Sequence, residues 1–223
     1  MNYFAHASPF LADPYFVAGT GVPDWLTVAD RKVRVRRKAA AAFVEDDDPC
    51  TAAVARGLAQ HVADDARFHP TRALAELSLG MTSLVREVLG PETGFRPSFL
   101  GHLLVEVLLD ASLIAEGPWR LEAYYRLLDA VDSRVVEAAV NRMVPQPTAR
   151  LAWMISGFCR ERILWDYLED GKLLVRLSQV MRRVGFAQLP GRFREILPEA
   201  RRLVEARKGD LLDGIPTGAL RAA

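Results

Sequence analysis

Cysteine is nearly absent from this chain: Cys50 and Cys159 are the only two in 223 residues. That excludes a disulfide-built scaffold and a zinc ribbon, and it makes a reducing cytoplasm the expected compartment. An excess of one charge is missing as well. With 29 Lys and Arg against 28 Asp and Glu, the net charge is +1, so no global field points to nucleic acid or to a membrane surface. No run of about 18 apolar residues is evident, so no membrane span is expected. The opening "MNYFAHASPFLADPYFVAG" lacks a basic leader and is broken by Asp13 and two prolines, so it reads poorly as a secretory signal. There is no P-loop, no G-x-G-x-x-G and no G-x-S-x-G, which removes the common nucleotide-binding and serine-hydrolase signatures. Histidine is scarce too, with four in all.

What is present is helical periodicity. Half the residues are hydrophobic and 26% are charged, an ordinary globular balance. Helices are expected over 50–69, 71–90, 96–117, 118–131, 133–144, 148–170, 172–185 and 195–208. The stretch 96–117 is so apolar that it should be central and nearly buried. "VRVRR" (33–37) reads as a basic loop or helix end, and "EDDD" (45–48) as a loop that places negative charge near the next helix N-terminus. The tail from Gly209 should be irregular. No repeat or linker appears. The expected fold class is all-α, a single compact multi-helix domain over 1–223 with about eight to ten helices.

The histidines gain meaning as a set. In "HVADDARFH", His61, Asp65 and His69 stand at i, i+4, i+8, one face of a helix, with Asp64 to one side. In "GHLLVEVLLD", His102, Glu106 and Asp110 repeat that spacing where the flanking leucines and valines call for burial, and buried carboxylates need a positive partner or a metal. "MNYFAHA" places His6 early. "GTGVPDWL" places Asp24 after a Gly- and Pro-rich turn in which Gly19 and Gly21 allow close backbone approach. Asp24 reads either as the N-cap of a helix starting at Trp25 or as a further ligand. His6, Asp24, His61, Asp65, His69, His102 and Glu106 together form a nitrogen-and-oxygen donor set suited to Zn, Mn or Fe, with more than one divalent ion. Convergence of all seven on one pocket is the expectation. Clustered carboxylates of this kind should repel one another when no metal is bound.

The order "MNYFAHA", "VAGTGVPD" and then H-x3-D resembles bacterial acyl carrier protein phosphodiesterases, helical metallohydrolases that remove the phosphopantetheine arm from the carrier. His61-x3-Asp65-x3-His69 followed by His102-x3-Glu106 is similar to zinc-dependent phospholipase C and its single-strand nuclease relatives. The resemblance covers roughly residues 1–110 and implies a metal site built from that half. Two departures stand out. The zinc phospholipases use a processed N-terminal amine as a ligand, whereas this chain begins Met-Asn. In the carrier-protein enzymes the position matching His69 is an acid.

The chemistry implied is hydrolysis of a phosphoester by water activated at a His/Asp/Glu-bound metal cluster. Asp64 and Asp110 are then candidates for general base or for orienting a ligand, and Arg67 and Arg96 for neutralising the phosphate. The expected partner is a phosphoester small molecule or a phosphopantetheinylated carrier protein. No membrane or nucleic acid is expected, and oligomeric state is left open. "RKVRVRRK" (31–38) is either a solvated basic stretch or a landing patch for an acidic or phosphorylated partner. Two other readings stand beside the hydrolase: a non-catalytic helical protein that binds metal or a phosphorylated ligand, and a scaffold in which the His–carboxylate pairs are structural.

Overall fold

A computed structural model describes residues 1–90 and 95–216, and every regular element among them is helical. The all-α class is what the chain adopts. In order the elements are α1 (Tyr3–Ala7), α2 (Pro14–Ala29), α3 (Arg37–Ala41), α4 (Pro49–Phe68), α5 (Arg72–Leu89), α6 (Pro97–Glu116), α7 (Pro118–Asp129), α8 (Ser133–Met143), α9 (Leu151–Glu161), α10 (Asp170–Arg183) and α11 (Leu197–Leu211). Two 3-10 segments, Ile163–Leu168 and Gly191–Ile196, precede α10 and α11.

The chain's contacts gather into two compact units, each drawn from discontinuous stretches. One contains Met1, Arg67–Glu116 and Ile163–Ile215; the other contains Asn2–Ala66 and Gly117–Arg162. In the first, α6 is the central element, packed on α5, α11 and the first 3-10 segment. Leu100, Leu104, Val105, Leu108, Leu109 and Ile114 are buried there, so the hydrophobic effect fixes this helix as core. By length and composition alone α6 would pass for a membrane span. Yet 61% of its apolar window is buried inside the protein, as the sequence pattern of a central helix implies.

Local signals set several ends. Asp13 caps α2 by accepting from the Tyr15 and Phe16 amides at 3.0 and 3.1 Å, and Pro14 occupies the first turn where no amide donor is needed. Thr71 caps α5 through the Leu74 amide, and Gly90 closes it at φ 68. Asp48 of the acidic run accepts from the Thr51 amide at 3.0 Å at the start of α4, while Asp46 pairs with Arg142 at 2.7 Å.

Two sequence expectations are corrected. The Gly- and Pro-rich turn at 19–23 is instead the interior of α2, with Pro23 inside the helix. The helix expected over 148–170 stops at Glu161, where Arg162 takes a left-handed conformation (φ 46) held by Asp129 at 2.7 Å. The basic stretch is a turn and an extended segment running into α3, the loop and helix end that its sequence implied, with Val33 buried. The last part of the tail expected to be irregular, 217–223, lies outside the described residues. Both cysteines are free.

Candidate metal centre

The unit containing α1, α2 and α4 builds the first group of donors. Five residues are too few to make α1 stable alone; it is held by burial of every side chain from Tyr3 to Ala7. Tyr3 packs on Phe158 and Trp25, with ring centroids at 4.8 and 6.3 Å, and Phe4 meets Tyr124 edge-on at 6.0 Å. That aromatic cluster carries His6 inside, where it is 0% exposed. On α4 the buried stripe runs Val54, Leu58, His61, Asp64, Phe68. His61 therefore faces inward, and its ring stacks on that of His6 at a centroid distance of 3.8 Å.

The protons on these rings can be placed by chemistry. His61 Nδ1 lies 2.8 Å from the Thr20 carbonyl oxygen, which only accepts, so Nδ1 must donate. His6 Nδ1 lies 3.2 Å from Asp64 Oδ2, and Asp64 is held in turn by Gln60 Nε2 at 2.7 Å. With their Nδ1 atoms committed, both rings turn Nε2 toward one carboxylate: His6 to Asp65 Oδ1 at 3.5 Å and His61 to Asp65 Oδ2 at 3.4 Å. A neutral imidazole in that tautomer presents a lone pair to an oxygen that also only accepts. Such an arrangement requires a cation between the groups, either a proton or a metal ion. One ligand atom from each of His6, His61 and Asp65 lies within 4.8 Å of the others.

The electrostatics agree. Burial pushes the His6 imidazole toward its neutral form, but Asp64 and Asp65, with Asp24 adding its charge, outweigh this and raise its pKa above the ordinary 6.5. Burial likewise pushes the Asp65 carboxyl up, yet His6 and His61 hold it well below the usual carboxylate range. Each carboxylate thus has an imidazole beside it, which opposes the carboxylate repulsion expected of the metal-free protein. A proton-release experiment checks this. His6 keeps its proton below pH 6.5 and loses it as pH rises through its raised pKa, so its ion pairs stabilise the metal-free fold most fully below pH 6.5. Zinc should displace more protons when added at low pH, where His6 is protonated, than above the raised His6 pKa, measured calorimetrically in buffers of different ionisation enthalpy. Release that does not vary with pH would show that His6 is not displaced.

The second group lies in the unit built around α6. His102 Nε2 is 3.3 Å from Glu106 Oε1, the i, i+4 pair read from the sequence, and the His69 ring stacks on that of His102 at 5.4 Å and 12°. Ligand atoms of His69, His102 and Glu106 also lie within 4.8 Å of one another. The α-amino group of Met1 sits 3.1 Å from Glu106 Oε1. Burial raises the Glu106 carboxyl, but His102 and the Met1 ammonium overcome this and leave it below its ordinary value.

Each unit thus gathers part of the expected ligand set. Six fall into two sets of three, and Asp24 belongs to neither, although its charge reaches His6. His69 is not on the helical stripe of His61 and Asp65, because α4 ends at Phe68. Pro70 disfavours a helical conformation at the residue before it, and Thr71 turns back to donate to the Phe68 carbonyl at 2.8 Å. Asp110 is fully buried on α6, one turn past Glu106. The two arginines chosen by position make no ion pair with a carboxylate of either set. Arg67 is exposed with no ion pair among the described residues, and Arg96 lies over the Phe186 ring at 5.4 Å.

Sequence reasoning missed the Thr20 carbonyl, Gln60 and the Met1 amine. Only Gln60, four residues before Asp64, carried a readable signal. Compared with protein-family models, curated proteins and solved structures, the chain matches none.

Proposed function

We propose that this protein is a metal-dependent hydrolase of phosphoesters, with a divalent ion (Zn, Mn or Fe) held by His6, His61 and Asp65 and a second by His69, His102 and Glu106. The observation that carries the reading is the commitment of both buried Nδ1 atoms, to Asp64 and to the Thr20 carbonyl, while both Nε2 atoms converge on Asp65. Metal-binding histidines characteristically donate their other ring N–H to a carboxylate or backbone carbonyl in this way. Bound there, a divalent ion lowers the pKa of a coordinated water toward about 7 and offsets charge on a phosphoryl group. Asp64 then acts as a positioning residue that holds the His6 ring. The substrate is a phosphoester small molecule or a phosphopantetheinylated carrier protein.

A second reading is a helical protein that binds metal or a phosphorylated ligand without turnover; the observation that favours it is Arg96, whose guanidinium lies over the Phe186 ring rather than on a donor group's carboxylate. The purified protein should carry transition metal by elemental analysis and hydrolyse bis-p-nitrophenyl phosphate, with both properties lost on chelation. Metal without hydrolysis of mono- or diesters selects the second reading. No metal after soaking with zinc, manganese and iron removes both.

A further inference from the structure

The two donor groups differ in ways that bear on what each ion would do. In the His6–His61–Asp65 group the imidazoles are 0% and 4% exposed. Each ring is oriented through Nδ1, and Asp64 is itself fixed by Gln60. In the other group His69 is exposed and the His102 side chain is 39% exposed. His102 Nδ1 makes no hydrogen bond among the described residues. His69 stands on a turn rather than a helix. Outer partners of this kind each change metal affinity by about 10–100-fold. Three ligands at a solvent-facing site leave coordination positions for water or substrate, whereas enclosed sites are characteristic of ions that do not exchange.

From this asymmetry, and resting on the metal-binding reading above, we infer that the His69–His102–Glu106 group is the exchangeable position and the one that takes a phosphoryl oxygen. The His6–His61–Asp65 group, with both imidazoles buried, is the tight position. The order of loading follows: the buried group fills first, and phosphate binds only when the exposed group is filled.

The test uses the full chain stripped with chelator and titrated with Co²⁺, read by visible absorption and by equilibrium dialysis. Two classes of site are expected, at least about tenfold apart in affinity, because both imidazoles of the first group are held through Nδ1 and that of His102 is not. His102→Gln should remove the weaker class alone, and His61→Gln the tighter. Inorganic phosphate should shift the cobalt spectrum of the wild type but not that of His102→Gln. Far-UV circular dichroism confirms folding, and His69→Ala, in an exposed turn, serves if His102→Gln does not fold. Equal affinities, the reverse assignment, a single class of site, or a phosphate shift that survives His102→Gln overturns this inference and leaves the proposed function standing. Absence of any cobalt binding overturns both.

Discussion

Asp65→Ala should lower metal retention and phosphoester hydrolysis together, each by at least about 100-fold, the upper range for an outer partner and so a floor for a direct ligand. The reason is geometric. Asp65 is the one carboxylate that both Nε2 atoms face, so its removal leaves two neighbouring imidazoles, stacked at 3.8 Å, with no anion between them. The metal-free protein should also become less stable, by about 1–3 kcal/mol, because a buried polar group loses its partner. That loss is largest below pH 6.5, where His6 is protonated, and shrinks as pH rises through its raised pKa. Asp65→Asn keeps the shape and removes the charge, so it should lose metal with a smaller packing cost. Elemental analysis, a hydrolysis assay and urea unfolding at two pH values read all three effects. A metal-free Asp65→Ala protein more stable than wild type would mean that carboxylate repulsion governs the site after all.

The largest effect on stability is expected at Gly57. A Cβ built there would stand 2.1 Å from the Phe16 carbonyl oxygen and 3.0 Å from Gly19 Cα, and one on Gly19 would stand 2.4 Å from the Val54 carbonyl oxygen. These obstacles are backbone, so no rotamer change relieves them, and α2 and α4 must separate. Ala is about 1 kcal/mol better than Gly in a helix interior, but overpacking typically costs 1–3 kcal/mol and occasionally more. With contacts this short, Gly57→Ala should destabilise by about 2 kcal/mol or more, a fall in Tm of roughly 4–8 °C for a chain of this size. Separation also moves Thr20, whose carbonyl accepts from His61 Nδ1 at 2.8 Å, so metal affinity falls with stability. Gly80 in α5 supplies the opposite sign. Nothing lies within 4 Å of a Cβ there, and Gly80→Ala should stabilise by up to about 1 kcal/mol. Paired thermal melts distinguish the cases; a Gly57→Ala protein as stable as Gly80→Ala would refute the close crossing.

The amphipathic helices were readable because their information is local. α5, α6, α7 and α8 were expected at 71–90, 96–117, 118–131 and 133–144, and they run Arg72–Leu89, Pro97–Glu116, Pro118–Asp129 and Ser133–Met143. Periodicity is sufficient to mark them, and Thr71 and Gly90 bound α5. α2 was hidden by the same reasoning. Gly19, Gly21 and Pro23 read as a turn, and an interior proline costs about 3 kcal/mol in an isolated helix. Burial of Val17, Val22, Trp25 and Leu26 outweighs that cost, and the glycines serve the crossing with α4 rather than a change of direction.

The candidate site divides the same way. The pairs His61–Asp65 and His102–Glu106 follow from the i, i+4 geometry of any helix, and the sequence by itself determined both, together with the all-α class. Sequence could not determine the third member of each set. His6 joins His61 from 55 positions earlier because aromatic packing buries α1, and His69 joins His102 because Pro70 and Thr71 take it off α4. Nor does spacing reveal which Nδ1 atoms are committed, since the Thr20 carbonyl and Asp64 reach the rings only through tertiary contact. Local periodicity encodes which residues share a helix face; which faces meet is decided by long-range burial and by the close approach that glycine permits.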